Sequence, residues 1–175
     1  MTELATRLER RLGEEKAAYE HGHHRPLGAY TALMATYGAV VAALTGLARR
    51  RRTVVLGGIP AGDLVLFGVA THKLSRIVTK DLVTSPVRAP FTTVEGSGGP
   101  AEVEESPRGR GLRKAVGELV HCPFCMGEWI ATGFVAGSVF APRFTRLAAS
   151  VFGVLALSDW LQFAYTALEE RAAHD

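Results

Sequence analysis

The sharpest chemical signal in the sequence is His121-Cys122-Pro123-Phe124-Cys125. Two cysteines at i and i+3 open an apolar stretch, so the pattern predicts both thiols in the first turn of a helix. Backbone N–H groups at a helix start stabilise a thiolate, which is how CxxC oxidoreductases activate the attacking sulfur. In that chemistry Cys122 is the exposed attacking thiol and Cys125 the resolving one. A metal site is the second option. Structural zinc needs four ligands, and Cys122, Cys125 and His121 supply three. His21, His23 or His24, or the CxxC of a second copy, would have to complete the set. The third option is two small reduced thiols packing a helix start at a cytoplasmic face, where disulfides are uncommon. The third is the expectation adopted here, with no cofactor and with zinc as the alternative.

A second constellation is ionic. His72, Lys73, Arg76, Glu128 and Asp159 fall within or at the ends of apolar runs. A charge at mid-bilayer costs about 2.5–3.5 kcal/mol on an insertion scale, so each such residue needs a partner. Asp159 or Glu128 is expected to pair with Lys73 or Arg76, as glue between helices rather than as a proton or ion path. CPFC also occurs in glutaredoxin-like sites, but there it follows a strand, and no strand pattern precedes it here.

The elements that position these residues are read from hydropathy. The chain has 175 residues. With Gly counted and Tyr left out, roughly 55% of them are apolar, above the ~45–50% of soluble domains. Disorder of the whole chain, a disulfide scaffold and a fibrous repeat are excluded. Residues 1–26 are polar, with Leu4, Leu8 and Leu12 on one stripe, and predict an amphipathic N-terminal arm. No signal peptide is read there. Residues 27–48 carry no formal charge and span about 33 Å as a helix, enough for a hydrocarbon core of ~30 Å. Arg49 to Arg52 end that run. Residues 62–80 form a second run whose His72, Lys73, Arg76 and Lys80 fall on one arc, as for a span with snorkelling cations. An interfacial helix is the alternative reading of that run. The third run, 122–142, opens at CPFC and contains a Gly133/Gly137 GxxxG pair. The fourth, 147–168, contains one charge, Asp159, and a tail follows at 169–175.

Between the second and third runs, Pro86 and Pro90 forbid a continuous helix. The Gly/Pro/Ser/Glu-rich stretch predicts a mobile loop over 92–111, after which GLRKAVGELVHC resumes a helical pattern along the membrane surface. With four spans and the N-terminus inside, 14 Lys/Arg lie on inner segments and 6 on outer ones. The positive-inside rule therefore puts both termini and the 81–121 loop in the cytoplasm. The fold expected is an all-α integral membrane bundle of four transmembrane helices, or three if the second run is interfacial.

No P-loop, dinucleotide fingerprint, GxSxG elbow or HExxH motif occurs. The net charge of +3 sits beside apolar runs instead of on a basic face with aromatic platforms, which argues against nucleic acid as a partner. ATHKLSRIVTKDLVTSPVRAPF (70–91) and GELVHCPFCMGEW (117–129) resemble the two signature blocks of a bacterial membrane family, the domain-of-unknown-function family 1360. The features that carry the resemblance are Lys73, Leu74, Arg76, Asp81, Pro86 and Arg88, then Cys122, Pro123, Cys125, Gly127 and Trp129. Lys73 stands where the family pattern has Arg. The likeness covers roughly residues 62–168 and implies a multi-pass membrane protein, some relatives carrying a sporulation label, with no established activity. The expectation is a non-catalytic scaffold or accessory component whose loop meets a protein partner and whose chains self-associate. A membrane thiol–disulfide oxidoreductase or a metal-binding protein using CPFC is the alternative.

Overall fold

A computed structural model of the chain describes residues 2–20, 25–50 and 58–174. His21, His23, His24, Arg51 and Arg52 lie outside the described residues. The elements in chain order are α1 (Thr2–Glu20), α2 (Leu27–Arg50), α3 (Ala61–Thr79), a 3-10 turn (Leu82–Thr84), α4 (Ser85–Arg88), β1 (Thr92–Ser97), β2 (Val103–Pro107), α5 (Gly111–His121), α6 (Pro123–Phe140) and α7 (Pro142–His174). Helix starts follow proline: Pro26 precedes α2, Pro60 precedes α3, and Pro123 and Pro142 are the first residues of α6 and α7. Proline's fixed φ suits a first helical turn, and the N–H it lacks has no partner there anyway.

The core is a three-helix packing of α3, α6 and α7. Phe67 stacks on Phe134 with ring centroids 5.7 Å apart, and Ala70 and Ala149 pack beside them, fully buried. Direction follows from the contacts. Asp63 pairs with Arg146 and Lys73 with Asp159, so α3 and α7 run parallel. Phe67 meets Phe134 while Thr71 lies beside Gly127, so α6 runs against α3. Tyr37 meets Trp129 and Thr132, while Val41 to Ala48 face Thr132 to Phe140, so α2 runs parallel to α6. The four helices thus alternate in direction along the chain.

Of the expected GxxxG pair, only Gly137 is a close approach. A Cβ there would lie 2.6 Å from Thr145 Oγ1 on α7, whereas one on Gly133 would meet nothing within 4 Å.

Large apolar side chains lie on the outside. α2 buries no residue, and Val151, Val154, Leu157, Leu161 and Leu168 of α7 are exposed. Water would not favour such faces. Among the described residues, α2 and Pro142–Ala173 of α7 are long and apolar enough to cross a membrane. A third span is added if α5 and α6, bent by 78° at Cys122, are counted together. α3 carries Asp63, Lys73 and Arg76 and does not join that set.

Residues 92–111, read as a mobile loop, contain two paired strands. The chain is mostly helical but includes an ordered β-hairpin. β1 and β2 are antiparallel, with Thr92 opposite Pro107, Val94 opposite Glu105 and Ser97 opposite Val103, and a bulge between Val94 and Gly96. Composition misled because Gly98, Gly99 and Pro100 supply only the turn, with Ala101 in the left-handed region (φ 61°). The flanking Thr92, Thr93, Val94 and Val103 are strand formers.

Candidate functional site

The hairpin is locked to the end of α3 by one arginine. Arg88 closes α4, and its side chain is fully buried. Its Nε and Nη2 donate to Glu105 Oε2 and Oε1 at 2.8 and 3.2 Å. Nη1 donates to the Val78 carbonyl and Thr84 Oγ1, and Nη2 to the Asp81 carbonyl and Ser85 Oγ. Every donor of the guanidinium fork is engaged with a strand, a turn or the last turn of α3, the condition under which a buried charge is tolerated. Burial works against the ionised Glu105 carboxylate. The hydrogen bond from Arg88 and the hydroxyls of Thr92 and Ser85 outweigh it and hold the carboxyl below its ordinary range.

Two further acids of the hairpin reach Arg76 of α3 and Lys80, the residue that caps that helix's C-terminus. Glu102 accepts from Arg76, and Glu104 lies 3.9 Å from Lys80. Main-chain bonds run alongside, from the Val103 N–H to the Lys80 carbonyl and from the Leu82 N–H to the Ala101 carbonyl. The hairpin's other face rests on α5. Gly117 is required there, because a Cβ at this position would lie 2.6 Å from the Phe91 carbonyl oxygen.

The expected charge cluster divides. Lys73 Nζ donates to Asp159 Oδ2 at 2.6 Å. Arg76 goes to Glu102 instead, and His72 approaches Trp160 with ring centroids 6.3 Å apart. Glu128 forms no ion pair with the described residues. Asp81 lies near Lys73 and Asp159. Burial pushes its carboxyl above the ordinary range, Lys73 opposes the shift, and Glu102 adds to it.

CPFC begins α6. Cys122 is its N-cap, and Cys122 Sγ accepts the Cys125 N–H at 3.3 Å. Both thiols are free, and Cys125 is exposed while Cys122, expected to be the exposed one, is half-buried. They line a cavity of about 680 Å³ between α2, α5 and α6. Leu33, Met34 and Tyr37 of α2 form one wall, and Leu119 and Trp129 form the other. Tyr37 fixes the walls together, edge-on to Trp129 at 5.1 Å and hydrogen-bonded to Thr132. At one end Tyr30 donates to Glu118, with Arg25 adjacent. His121 also lines the cavity, with Nδ1 buried and without a hydrogen-bond partner among the described residues. Among the described residues no group of three or more His, Cys, Asp or Glu is arranged to hold a metal ion.

Sequence reasoning singled out Arg88 without giving it a task, placed Tyr30 only as an interfacial aromatic near a run end, and missed Glu105 and Tyr37. Glu102 and Glu104 flank the buried Val103, a period of two too short to mark a strand by itself. The two tyrosines carried no signal of their partners, since only the assembled helices show what they reach.

A helical bundle with lipid-suited faces, closed at one end by an ion-paired hairpin, is the class this architecture defines. The chain belongs to the family of proteins of unknown function designated DUF1360, which matches residues 66–165. It is similar to sporulation protein YjcA of Bacillus subtilis (strain 168), 26% identical over 120 residues that cover 62% of this chain and 99% of that protein. No solved structure matches. α1 and α2 lie outside the matched segment, so the α2 wall of the cavity is an addition to the family region.

Proposed function

We propose that the chain is a four-span protein of the bacterial inner membrane, with α2, α3, α6 and α7 crossing and the hairpin at the cytoplasmic face. Both termini lie on that same side. In this reading the protein is an accessory or scaffold component, and the hairpin is the surface it offers to a protein partner. The observation that carries it is the Arg88–Glu105 lock, which makes the hairpin a rigid extension of α3. A rigid element presents a surface without the ordering cost of a flexible loop. The alternating helix directions support four crossings, and the ion pairs of Lys73 and Asp63 to α7 make α3 tolerable in lipid. Photo-crosslinking from position 94 on the hairpin in native membranes tests the scaffold role. A discrete protein adduct is expected, and an absence of adducts at saturating labelling contradicts it.

A second reading is favoured by the N-capping sulfur of Cys122, which faces the N–H groups that stabilise a thiolate. It makes Cys122 and Cys125 a dithiol that closes reversibly to a disulfide, either as activity or as control of the scaffold. Alkylation rates across pH test it. Preferential reaction of Cys122 at neutral pH is expected. A profile with the free-thiol pKa of ~8.5 and no thiol–disulfide exchange removes this reading.

A further inference from the structure

The cavity beside Cys122 and Cys125 carries chemistry that a scaffold does not use. Arg25 and Glu118, of opposite sign, sit together at one end with Tyr30, and Glu128, His121 and the two thiols line the side formed by the start of α6. The remaining wall is apolar and aromatic, from Leu33, Met34, Tyr37 and Trp129. That lining suits an uncharged, ring-bearing molecule. A narrower apolar groove of about 170 Å³ continues along the same α2–α6 seam beyond Tyr37, lined by Val41, Leu44, Val135 and Val139 among others. An aliphatic tail on a ring in the first space would follow the same seam toward the second, past the Tyr37–Thr132 contact. Cys122 and Cys125 hold the N-cap and third helical positions of α6. One helical turn between them is compatible with the roughly 4.4–6.8 Å Cα separation of a disulfide. Glu128, three residues after Cys125 and so on the same helical face, also lines the cavity and forms no ion pair with the described residues.

We propose that this cavity binds a lipid-soluble quinone and that the Cys122–Cys125 dithiol reduces it, an inference that rests on the dithiol reading above. Both S–H bonds break and one S–S bond forms. The two electrons pass to the quinone ring, each carbonyl oxygen gains one proton, and a hydroquinone leaves. Glu128 is the residue placed to take a thiol proton and return it to a ring oxygen.

The test uses the reduced full-length chain in anaerobic detergent solution, with a fully ring-substituted decyl benzoquinone that cannot add thiols to its ring. One hydroquinone formed per chain, with loss of both thiols, is expected, and none with Cys122→Ser or Cys125→Ser. Gly38→Phe fills the cavity from a position where an added Cβ meets nothing within 4 Å. It should slow the quinone reaction at least about tenfold, since small displacements of reacting groups cost that much or more. Its oxidation by glutathione disulfide, a soluble reagent that has no need of the cavity, should be unchanged. Met34→Trp serves as a second filling variant if Gly38→Phe fails to fold. Closure of the disulfide by glutathione disulfide but not by the quinone overturns the quinone assignment and leaves the dithiol reading standing. Closure by neither overturns both. A quinone rate unaffected by filling the cavity overturns the assignment of the site.

Discussion

Arg88 and Glu105 stand 17 residues apart in the chain and form a two-pronged ion pair with both side chains buried. The pair joins α4 to the second strand of the hairpin through two nitrogens of one guanidinium. Arg88→Lys keeps the charge but loses the fork, and Glu105→Gln leaves the guanidinium without its counter-charge. Breaking one side of a buried pair costs about 3–5 kcal/mol. Both variants should therefore release the hairpin before the helices separate. Limited proteolysis at Arg108 and Arg110 is the readout, with faster cleavage expected while helical circular dichroism is retained.

The same pair sets a pH dependence. Glu105 is held below its ordinary carboxylate range, so its contribution is complete above the unfolded-state value of about 4.3. It is lost as pH falls through the folded value. Asp81, raised by burial, has the opposite sign, favouring the fold at low pH and losing that contribution as pH rises through its folded value. Loosening in acid is therefore assigned to Glu105. Hairpin amide exchange, corrected for its intrinsic pH dependence, should accelerate below about pH 4. Glu105→Gln should start loose and show no such step.

Lys73 and Asp159 should be coupled. Lys73→Met and Asp159→Asn each leave one polar partner behind, so the double variant should be less destabilised than the sum of the two. A coupling on the order of 1 kcal/mol is expected for a half-buried pair. Thermal unfolding in detergent measures it, and strict additivity contradicts the pairing.

Two glycines separate close packing from chance motif. Gly117→Ala drives a Cβ to 2.6 Å from the Phe91 carbonyl, so the hairpin must lift from α5; Gly133→Ala meets nothing. Gly117→Ala should lower the melting temperature and speed hairpin proteolysis. Gly133→Ala should be neutral or slightly stabilising, as removal of a helical glycine usually is.

Helices were legible where one local property decides them. The uncharged run from Leu27 marks α2, and the apolar runs 62–80, 122–142 and 147–168 mark α3, α6 and the middle of α7, whereas the start of α7 at Pro142 and its continuation through the expected tail to His174 were not read. The hairpin was not legible, because Glu102, Glu104 and Glu105 read as a solvated acidic loop until Arg76, Lys80 and Arg88 are known to face them. For Lys73 and Asp159 the need for a partner was legible and the choice between candidates was not. The cavity was hidden for a different reason: one of its walls comes from α2, more than 70 residues before CPFC, and no periodicity reports on a surface shared by helices so distant in sequence.

The central claim is that lipid surrounds the bundle and the hairpin lies at the face opposite the α6–α7 turn. Thiol labelling of intact cells with a membrane-impermeant maleimide tests it, using Ser97→Cys on the hairpin and Arg143→Cys beside the α6–α7 turn, each in a Cys122→Ser/Cys125→Ser background. The account predicts labelling at position 143 without permeabilisation and at position 97 only after it. Equal labelling of both positions, or recovery of the protein in the detergent-free supernatant, would contradict it.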